Sequence, residues 1–399
     1  MTTLSQEPSR TSHPDPERLG VWLGNSLRRL IDALPGGPHS PTPLARMLGT
    51  SRVTTSKLLN TLSRSSPFEL LENIPGPESL RAMTRGAANH SVDPTLVNDA
   101  NSAIEAFATL IRDHFGTRGA LNAAISPSTS DLQARFELAS RYHVYKGMRQ
   151  IMGVEAQTWL TSMVFFPAPD GEFVSVATIH GAIAIRRLRP DVNVHFTFGS
   201  PTAASGSSDL IVPSPIVLDE FCGNAPAPLE TQISGGQMIC RLAHHELGKR
   251  SVVDMLAASF NPRGTRRYAA PNMTRGGLVA FADIPAKSLV CDAILHDDVF
   301  PGATPRLTVY NPGARGPANP NDPRRDIDIV SVHERVASLG KSAERYTITE
   351  IPRYGAMIDR MCGKIGHAPE QFRVFRLRIS YPVHGFQFVI GFDKPAAKA

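Results

Sequence analysis

The sequence has few of the features that mark secreted, membrane-spanning or zinc-finger proteins. Its 399 residues include four cysteines, Cys222, Cys240, Cys291 and Cys362, and no two of them form a CxxC pair. This spacing predicts reduced, mostly buried thiols and argues against a disulfide framework. No apolar run reaches the roughly 18 residues needed to span a bilayer. The first 15 residues lack the apolar core of a signal peptide, so we expect a cytoplasmic protein.

Motifs of enzymatic catalysis are also scarce. The sequence has no Gly-x-Ser-x-Gly, and no cysteine lies in a nucleophile signature. The groups that could bind a metal are His244-His245-Glu246, His296-Asp297-Asp298 and His333-Glu334. We place the first group on a helix, where adjacent side chains point about 100° apart and do not readily share an ion. The i, i+4 spacing of a His-Glu-x-x-His zinc site is absent. We therefore predict no catalytic residue, no metal and no cofactor.

What the sequence does contain is a basic stretch, Thr42 to Ser66, with the pattern of two short amphipathic helices. Gly49 separates the helices, since glycine readily takes the left-handed conformation that a tight turn requires. Hydroxyls of Thr50 and Ser51 can cap the second helix, expected over roughly 52 to 62. The positions expected to be buried are Leu44, Ala45, Leu48, Thr55, Leu58, Leu59 and Leu62. This pattern predicts a helix-turn-helix.

The charge of this stretch favours a nucleic-acid partner. It contains no acidic residue and four basic ones, which are Arg46, Arg52, Lys57 and Arg64. Such a surface suits the phosphates of duplex DNA. One stripe of the second helix would face a major groove with Arg52, Val53, Ser56, Lys57 and Asn60. The net charge of +6 agrees with nucleic-acid binding but is weak support alone.

The stretch is similar to the helix-turn-helix of bacterial transcriptional regulators. The residues that carry the resemblance are Leu44-Ala45, Gly49, Ser51 and Leu58-Leu59. The resemblance implies that the first turns of the second helix read bases, through Arg52, Val53, Ser56 and Lys57. Thr55 departs from the pattern, because many relatives place valine there, and we expect slightly weaker packing at this position.

The residues after the helix-turn-helix are expected to form a wing. Phe68 to Asn73 and Ser79 to Met83 flank a turn-rich joint and predict a β-hairpin, with Arg81 near its far end. With a first helix at about 16 to 34, residues 16 to 86 resemble a winged helix-turn-helix of the MarR or IclR kind. The DNA-binding residues that follow are Thr50, Ser51, Arg52, Val53, Ser56, Lys57, Asn60, Arg46, Arg64 and Arg81.

Composition divides the rest of the chain into three parts. Residues 1 to 15 read as a disordered tail, 87 to 153 as a helical linker, and 154 to 399 as a strand-rich α+β domain. The linker has an apolar face formed by Leu96, Ile104, Phe107 and Ile111. This face either joins two subunits of a homodimer or packs on the C-terminal domain of the same chain.

The C-terminal domain is expected to contain many short strands and two helices. We predict strands at 160–166, 172–179, 182–188, 192–198, 278–284, 306–310 and 346–351, and helices at 237–260 and 354–365. Two last strands, 372–381 and 385–392, are expected to form a hairpin through Pro382-Val383-His384. The whole chain is therefore of the α+β class, with a C-terminal part large enough to enclose a ligand pocket.

Together these features predict a transcriptional regulator. The N-terminal part would bind double-stranded DNA, and residues 154 to 399 would sense a small-molecule effector or mediate assembly. The alternative is an enzyme, such as a metal-dependent hydrolase, with an appended DNA-binding domain. A third hypothesis is that the chain is an interaction protein whose helix-turn-helix binds another protein. A polar pocket with converging acid, base or metal groups would favour the enzyme, and an apolar pocket with few titratable groups would favour sensing.

Overall fold

The chain folds into two compact units, Met1–Phe136 and Glu137–Ala399. The computed structural model describes residues 15–37, 39–63, 66–198, 216–224, 229–234, 237–242, 246–248, 252–341, 346–351 and 353–397. The first unit is helical throughout its described residues, and the second contains a large mixed sheet, which confirms the α+β class. The predicted tail lies outside the described residues, except for Asp15. No helix within these ranges is long and apolar enough to cross a membrane.

The helices of the first unit start at capping residues and at prolines. Their bounds are α1 Pro16–Asp32, α2 Pro41–Met47, α3 Arg52–Leu62, α4 Pro67–Asn73, α5 Pro77–Ala88, α6 Pro94–Thr109 and α7 Arg118–Ile125. A π-helical segment, Leu110–Phe115, extends α6, and α8 (Ser130–Met152) contains the boundary between the units. Five of these helices have proline in the first turn, where no intrahelical donor is needed.

The first unit is held together by contacts between α1 and α6. Leu23 and Leu27 of α1 share one apolar core with Ile104 and Phe107 of α6, and all four side chains are almost fully buried. Beside this core, the carboxylate of Asp99 accepts hydrogen bonds from three side chains of α1, those of Trp22, Ser26 and Arg29. A carboxylate with several donors is a strong anchor, so α6 is fixed against α1.

The predicted wing is wrong. Phe68–Asn73 falls within α4 and Ser79–Met83 within α5, so both segments are helical. Pro67 and Pro77 stand in the first turns of these helices, and the Ser66 hydroxyl caps α4 by accepting from the Glu69 amide. The apolar residues then recur at helical spacing and are buried in the core of the unit. The joint between them connects two helices.

The helices that follow residue 86 also differ in role from the prediction of a linker. They belong to the first unit, which extends to Phe136. Ile104 and Phe107 are fully buried in that unit, and Leu96 and Ile111 pack against the same core. Ile104 and Phe107 are therefore not available as a seam between subunits, because the helices of their own unit already cover them.

The second unit is built from fourteen described strands. They are β1 Val154–Pro167, β2 Phe173–Arg187, β3 His195–Phe198, β4 Ile216–Val217, β5 Leu229–Ser234, β6 Gln237–Leu242, β7 Val253–Arg266, β8 Arg275–Phe281, β9 Ala286–His296, β10 Arg306–Tyr310, β11 Ile329–Val330, β12 Ala337–Gly340, β13 Phe372–Ser380 and β14 Gln387–Asp393. A helix, α9, spans Tyr354–Ile365, close to its predicted bounds. Short 3-10 turns are Ser126–Ser128 in the first unit and Asp219–Phe221, Gly313–Arg315, Pro323–Asp328 and Pro369–Gln371 in the second.

These strands form three sheets. The largest has the order β12-β13-β9-β1-β2-β7-β4, and the others are β11-β10-β14-β8 and β3-β6-β5. In the largest sheet β1 runs parallel to β9 and antiparallel to β2. Side chains alternate along β1, so Trp159 and Phe165 face one apolar core, while Leu160 and Val164 face another that includes α9. The second unit is therefore layered, with α9 on one face of the largest sheet and the β8 and β14 sheet on the other.

The predicted helix at 237–260 is wrong, since its described parts are β6 and β7. The first six residues of β7 are all buried, because this strand lies inside the largest sheet with both faces covered. A continuous apolar run of this kind cannot be told from a buried helix by periodicity. His244 and His245 lie outside the described residues.

The predicted hairpin at the end of the chain is wrong as well. The two strands exist, but β13 pairs with β9 and β12, whereas β14 pairs with β8 and β10. They belong to different sheets, so the connection at Pro382-Val383-His384 crosses from one layer to the other. Sequence gives the strands but not their partners, since pairing is decided by distant residues.

Close packing at Gly86 links α5 to the turn between α2 and α3, and it makes a stability prediction possible. A Cβ atom at this position would lie 2.3 Å from the carbonyl oxygen of Leu48. We expect Gly86→Ala to destabilise the chain by about 1 to 3 kcal/mol, because backbone atoms must move apart. Gly119→Ala, in α7, meets nothing closer than 3.8 Å and is the matched control. Urea denaturation followed by helical circular dichroism measures both. Equal stability of the two variants would contradict the packing.

Candidate functional site

The first candidate site is the helix-turn-helix formed by α2 and α3. Gly49 has a φ of +60°, as the left-handed turn requires, and the amide of Thr50 donates to the carbonyl of Ala45 at 3.0 Å. The Ser51 hydroxyl caps α3 by accepting from the amide of Thr54 at 3.0 Å. The helix bounds and the cap agree with the sequence prediction for these residues.

Thr55 is buried on the inner face of α3, between the turn and Leu58. Its hydroxyl donates to the main-chain oxygen of Ser51 at 3.0 Å. The polar group is therefore satisfied within its own helix, and threonine fills this buried position without leaving an unpaired donor.

The outer face of α3 is open to solvent. Val53 is 79% exposed, a high value for an apolar side chain, and Ser51, Arg52, Lys57 and Asn60 are exposed beside it. Ser56 and Thr50 are partly buried, and Arg46 of α2 is exposed. Arg64 lies outside the described residues. Apart from Arg81, the predicted DNA-facing residues that are described therefore lie at the end of α2, in the turn and on α3.

Charges on this face differ from other charges in the unit. Within the described residues, Arg46, Arg52 and Lys57 form no ion pair, whereas Arg29 pairs with Asp99 and Arg112 with Asp113. Neither α2 nor α3 has an acidic residue in its first turn. The positive end of the α3 dipole is therefore not neutralised, which suits a phosphate.

Arg81 does not occupy the position that the sequence suggested. It lies on α5, where its guanidinium donates to both carboxylate oxygens of Glu105, at 2.6 and 2.9 Å, and also pairs with Glu78. The positive charge of Arg81 is therefore paired with carboxylates of the first unit. Arg85, one turn later, is exposed and adjoins Gly86, the residue that touches the helix-turn-helix at Leu48. Arg85 is therefore an exposed basic residue next in sequence to the point where α5 meets the helix-turn-helix.

The second candidate site is a cavity of about 800 Å³ in the second unit. It lies between the largest sheet and the sheet that contains β8 and β14. Side chains from β1, β2 and β8 give it an apolar body, with Met163, Phe165, Val176 and Val279 among them. The volume is in the range of small-molecule sites.

The lining of this cavity includes four titratable side chains, those of His180, His195, Asp283 and His384. The carboxylate of Asp283 accepts from the amide of Thr197 at 2.9 Å. His384 Nε2 lies 3.1 Å from the main-chain oxygen of Asp283 and donates to it. The Nδ1 atom of His180 lies 2.9 Å from the hydroxyl of Thr161.

Burial changes the protonation of these groups. Desolvation raises the pKa of Asp283 to about 6, and it lowers the pKa of His180 to about 4. The pKa of His384 is also lowered, mainly by burial. At neutral pH the carboxyl is therefore charged, while His180 and His384 are neutral.

Sequence analysis did not identify these four residues as a group. They come from β2, β3, the segment after β8 and the connection between β13 and β14, and they span more than 200 positions. His384 lay in a segment that we expected to be a hairpin loop. Thr161 is a polar residue within an apolar face of β1, which was a weak indication of a site. The sequence did not indicate which residue its side chain contacts.

A further group has the chemistry of metal ligands. Ligand atoms of Glu137, His333 and Glu334 lie within 4.8 Å of one another. Glu137 accepts from the Nδ1 atom of His333 at 2.7 Å and from its main-chain amide at 3.1 Å. Arg141 donates to Glu334 at 2.5 Å. These contacts fix the loop at 331–336 to α8, which explains the group structurally.

The other sequence candidate for a metal, His296-Asp297-Asp298, is a local turn. The amide of Asp298 donates to Nδ1 of His296 at 3.2 Å, and the Asp298 carboxylate is 3.7 Å from the same atom. Asp297 pairs with Lys341 at 2.6 Å. The three side chains therefore do not converge on one point.

Comparison with known proteins gives no functional assignment. No protein family matches the chain, and no curated protein does. A crystal structure of a putative protease from Parabacteroides distasonis is similar over 61% of this chain and 41% of that chain, with a TM-score of 0.30 and 6% identity. The chain thus spans less than half the length of that protein. Similarity at this level supports no argument about fold or activity.

The raised pKa of Asp283 predicts how stability depends on pH. The folded chain holds this proton more tightly than the unfolded chain, so stability falls as pH rises from the ordinary value of 3.8 to about 6. Asp283→Asn keeps an acceptor for Thr197 and removes the buried charge. We expect the variant to be more stable at neutral pH by on the order of 2 to 3 kcal/mol, and the gain to shrink as pH falls.

Urea denaturation at several pH values measures this difference. Asp359→Asn, which removes an exposed carboxylate on α9, is the control and should change stability little at any pH. A variant at position 283 that is no more stable than the parent at neutral pH would show that the carboxyl is well solvated or paired.

Proposed function

We propose that the protein is a DNA-binding transcriptional regulator whose second unit binds a small-molecule effector. The observation that carries the proposal is the outer face of α3, with an exposed valine beside unpaired basic side chains in an acid-free helix-turn-helix. An exposed apolar side chain among cations suits a major groove, where it meets thymine methyl groups while the cations meet phosphates and guanines.

Support for DNA over another partner comes from the chemistry of this face. Arg52 and Val53 lie in the first turn of α3, and Lys57 lies one turn later on the same side. A recognition helix contacts bases with residues at such positions. Without a wing, the proposed additional phosphate contacts come from Arg46 and Arg85.

A homodimer remains part of the proposal. One helix-turn-helix makes few base contacts, and two-fold symmetry doubles them on a palindromic site. Since Ile104 and Phe107 are buried within the unit, the interface lies elsewhere on the chain. Light scattering of the purified protein measures the oligomeric state.

Sensing is favoured over catalysis by the groups in the cavity. Thr161 and His180 have the contact of a nucleophile and its base, but a base with a pKa of about 4 accepts protons poorly at neutral pH. The enzyme is the second candidate, because Asp283, with a pKa of about 6, could act as a general base. As an effector site, the cavity acts only if its ligand binds the DNA-competent and DNA-incompetent states with different affinity.

The proposed recognition helix is tested by a double variant, Arg52→Ala with Lys57→Ala. Loss of contacts should weaken binding by about 1 to 3 kcal/mol for each base contact and lower the salt dependence for each phosphate contact. The measurement is fluorescence anisotropy across salt concentrations, on duplexes selected by the protein from a random-sequence pool. Failure to enrich any duplex would contradict specific DNA binding.

The matched control is Arg18→Ala with Arg112→Ala. Both arginines are exposed in the first unit, on α1 and on the segment after α6, so the control removes the same net charge. We expect it to weaken binding much less. Equal losses in the two double variants would mean that binding follows net charge and that α3 does not read DNA.

A further inference from the structure

The aspartates of the second unit differ in how completely their charge is compensated. Asp292 is fully buried and accepts two hydrogen bonds from Arg376 and one from the Tyr354 hydroxyl. Asp254 is 1% exposed and accepts four hydrogen bonds, from Ala184, Gly223 and twice from Asn224. Each of these carboxylates therefore has either a cation or a full set of donors, as buried charges require.

Asp283 is the exception, and it lines the cavity. Among the described residues its carboxylate accepts one hydrogen bond, from the Thr197 amide, and it forms no ion pair. Burial is strong enough to raise its pKa to about 6. At neutral pH a negative charge thus lies at the cavity wall, and no side chain in the described part of the chain forms an ion pair with it.

Among the neighbouring imidazoles, that of His195 acts electrostatically to lower the pKa of Asp283, but by less than burial raises it. His384 donates to the main-chain oxygen of Asp283, and its pKa is lowered by burial. His180 is bound to Thr161, and its pKa is lowered to about 4. His195 is exposed and lines the same cavity. Because Nε2 of neutral His384 is the donor to the main-chain oxygen of Asp283, its Nδ1 atom is an acceptor.

Positive charge occurs at the opposite end of the cavity. Arg275 begins β8, eight residues before Asp283, which corresponds to about 26 Å along an extended chain. Its guanidinium lies 3.7 Å from Asp393. The cavity therefore has an acidic end, an apolar middle and a distant basic end.

We propose that the cavity binds a small organic amine, with its ammonium group on the Asp283 carboxylate and its apolar body between β1 and β8. This inference rests on the proposed effector site and names the chemical class of its ligand. An ammonium supplies a cation for the Asp283 carboxylate and donates up to three hydrogen bonds, with that carboxylate and the Nδ1 atom of His384 as acceptors. The apolar body covers Met163, Phe165 and Val279.

The test uses three probes with one apolar body and different ends: 4-phenylbutylamine, 4-phenylbutanol and 4-phenylbutyrate. Calorimetric titration into the full chain at neutral pH should rank the amine first, by roughly 10- to 100-fold over the alcohol. Asp283→Asn should abolish that preference, and Asp283→Glu should retain part of it because the charge remains. Asp359→Asn is the control and should preserve the full preference.

Several results would overturn the inference: equal binding of amine and alcohol, a preference for the acid, no binding of any probe, or an unchanged preference in Asp283→Asn. If that variant does not fold, the ranking of the three probes by the parent chain decides. A result that contradicts the proposed function can be distinguished from one that contradicts the ligand class. An amine that binds through Asp283 but leaves DNA affinity unchanged would uphold the ligand class and contradict its role as effector.

Discussion

The second unit depends on the need to cover both faces of its largest sheet. Strands β1, β7 and β9 are apolar on both sides, so neither face can be left in water. On one side α9 packs closely, and its Tyr354 joins the buried network of Asp292. On the other side the cover is a second sheet. Two twisted sheets diverge away from their line of contact, which leaves room for the cavity between them.

Charge is distributed in the first unit so that one surface remains basic. Asp99 engages Arg29 of α1 and Glu105 engages Arg81 of α5, and these contacts join helices to one another. No acidic side chain occurs in α2 or α3, so the cations there have no partner on their own helices. The same interactions that stabilise the bundle therefore leave the α3 face free to bind an anion.

Both candidate sites contain charged groups that the fold itself does not fully compensate. On α3, positive charge and an apolar side chain are exposed, and the cations form no ion pair within the described part of the chain. In the cavity, the charge of Asp283 lies among apolar side chains with a single donor. Elsewhere in the described second unit, buried carboxylates such as Asp292 are compensated by the fold itself. A group that the fold does not compensate marks a place where a ligand can do so.

Sequence alone determined the features that depend on neighbours along the chain. The cap at Ser51, the turn at Gly49 and the bounds of α3 and α9 follow from local hydrogen bonding and helical spacing. Tertiary structure decided what distant residues control. Packing of α4 against α1 and of α5 against α6 placed both helices in one bundle, and coverage of both faces made β7 a strand. Pairing placed β13 and β14 in different sheets, which brought His384 beside Asp283, because contact order and strand register are not encoded in any local window.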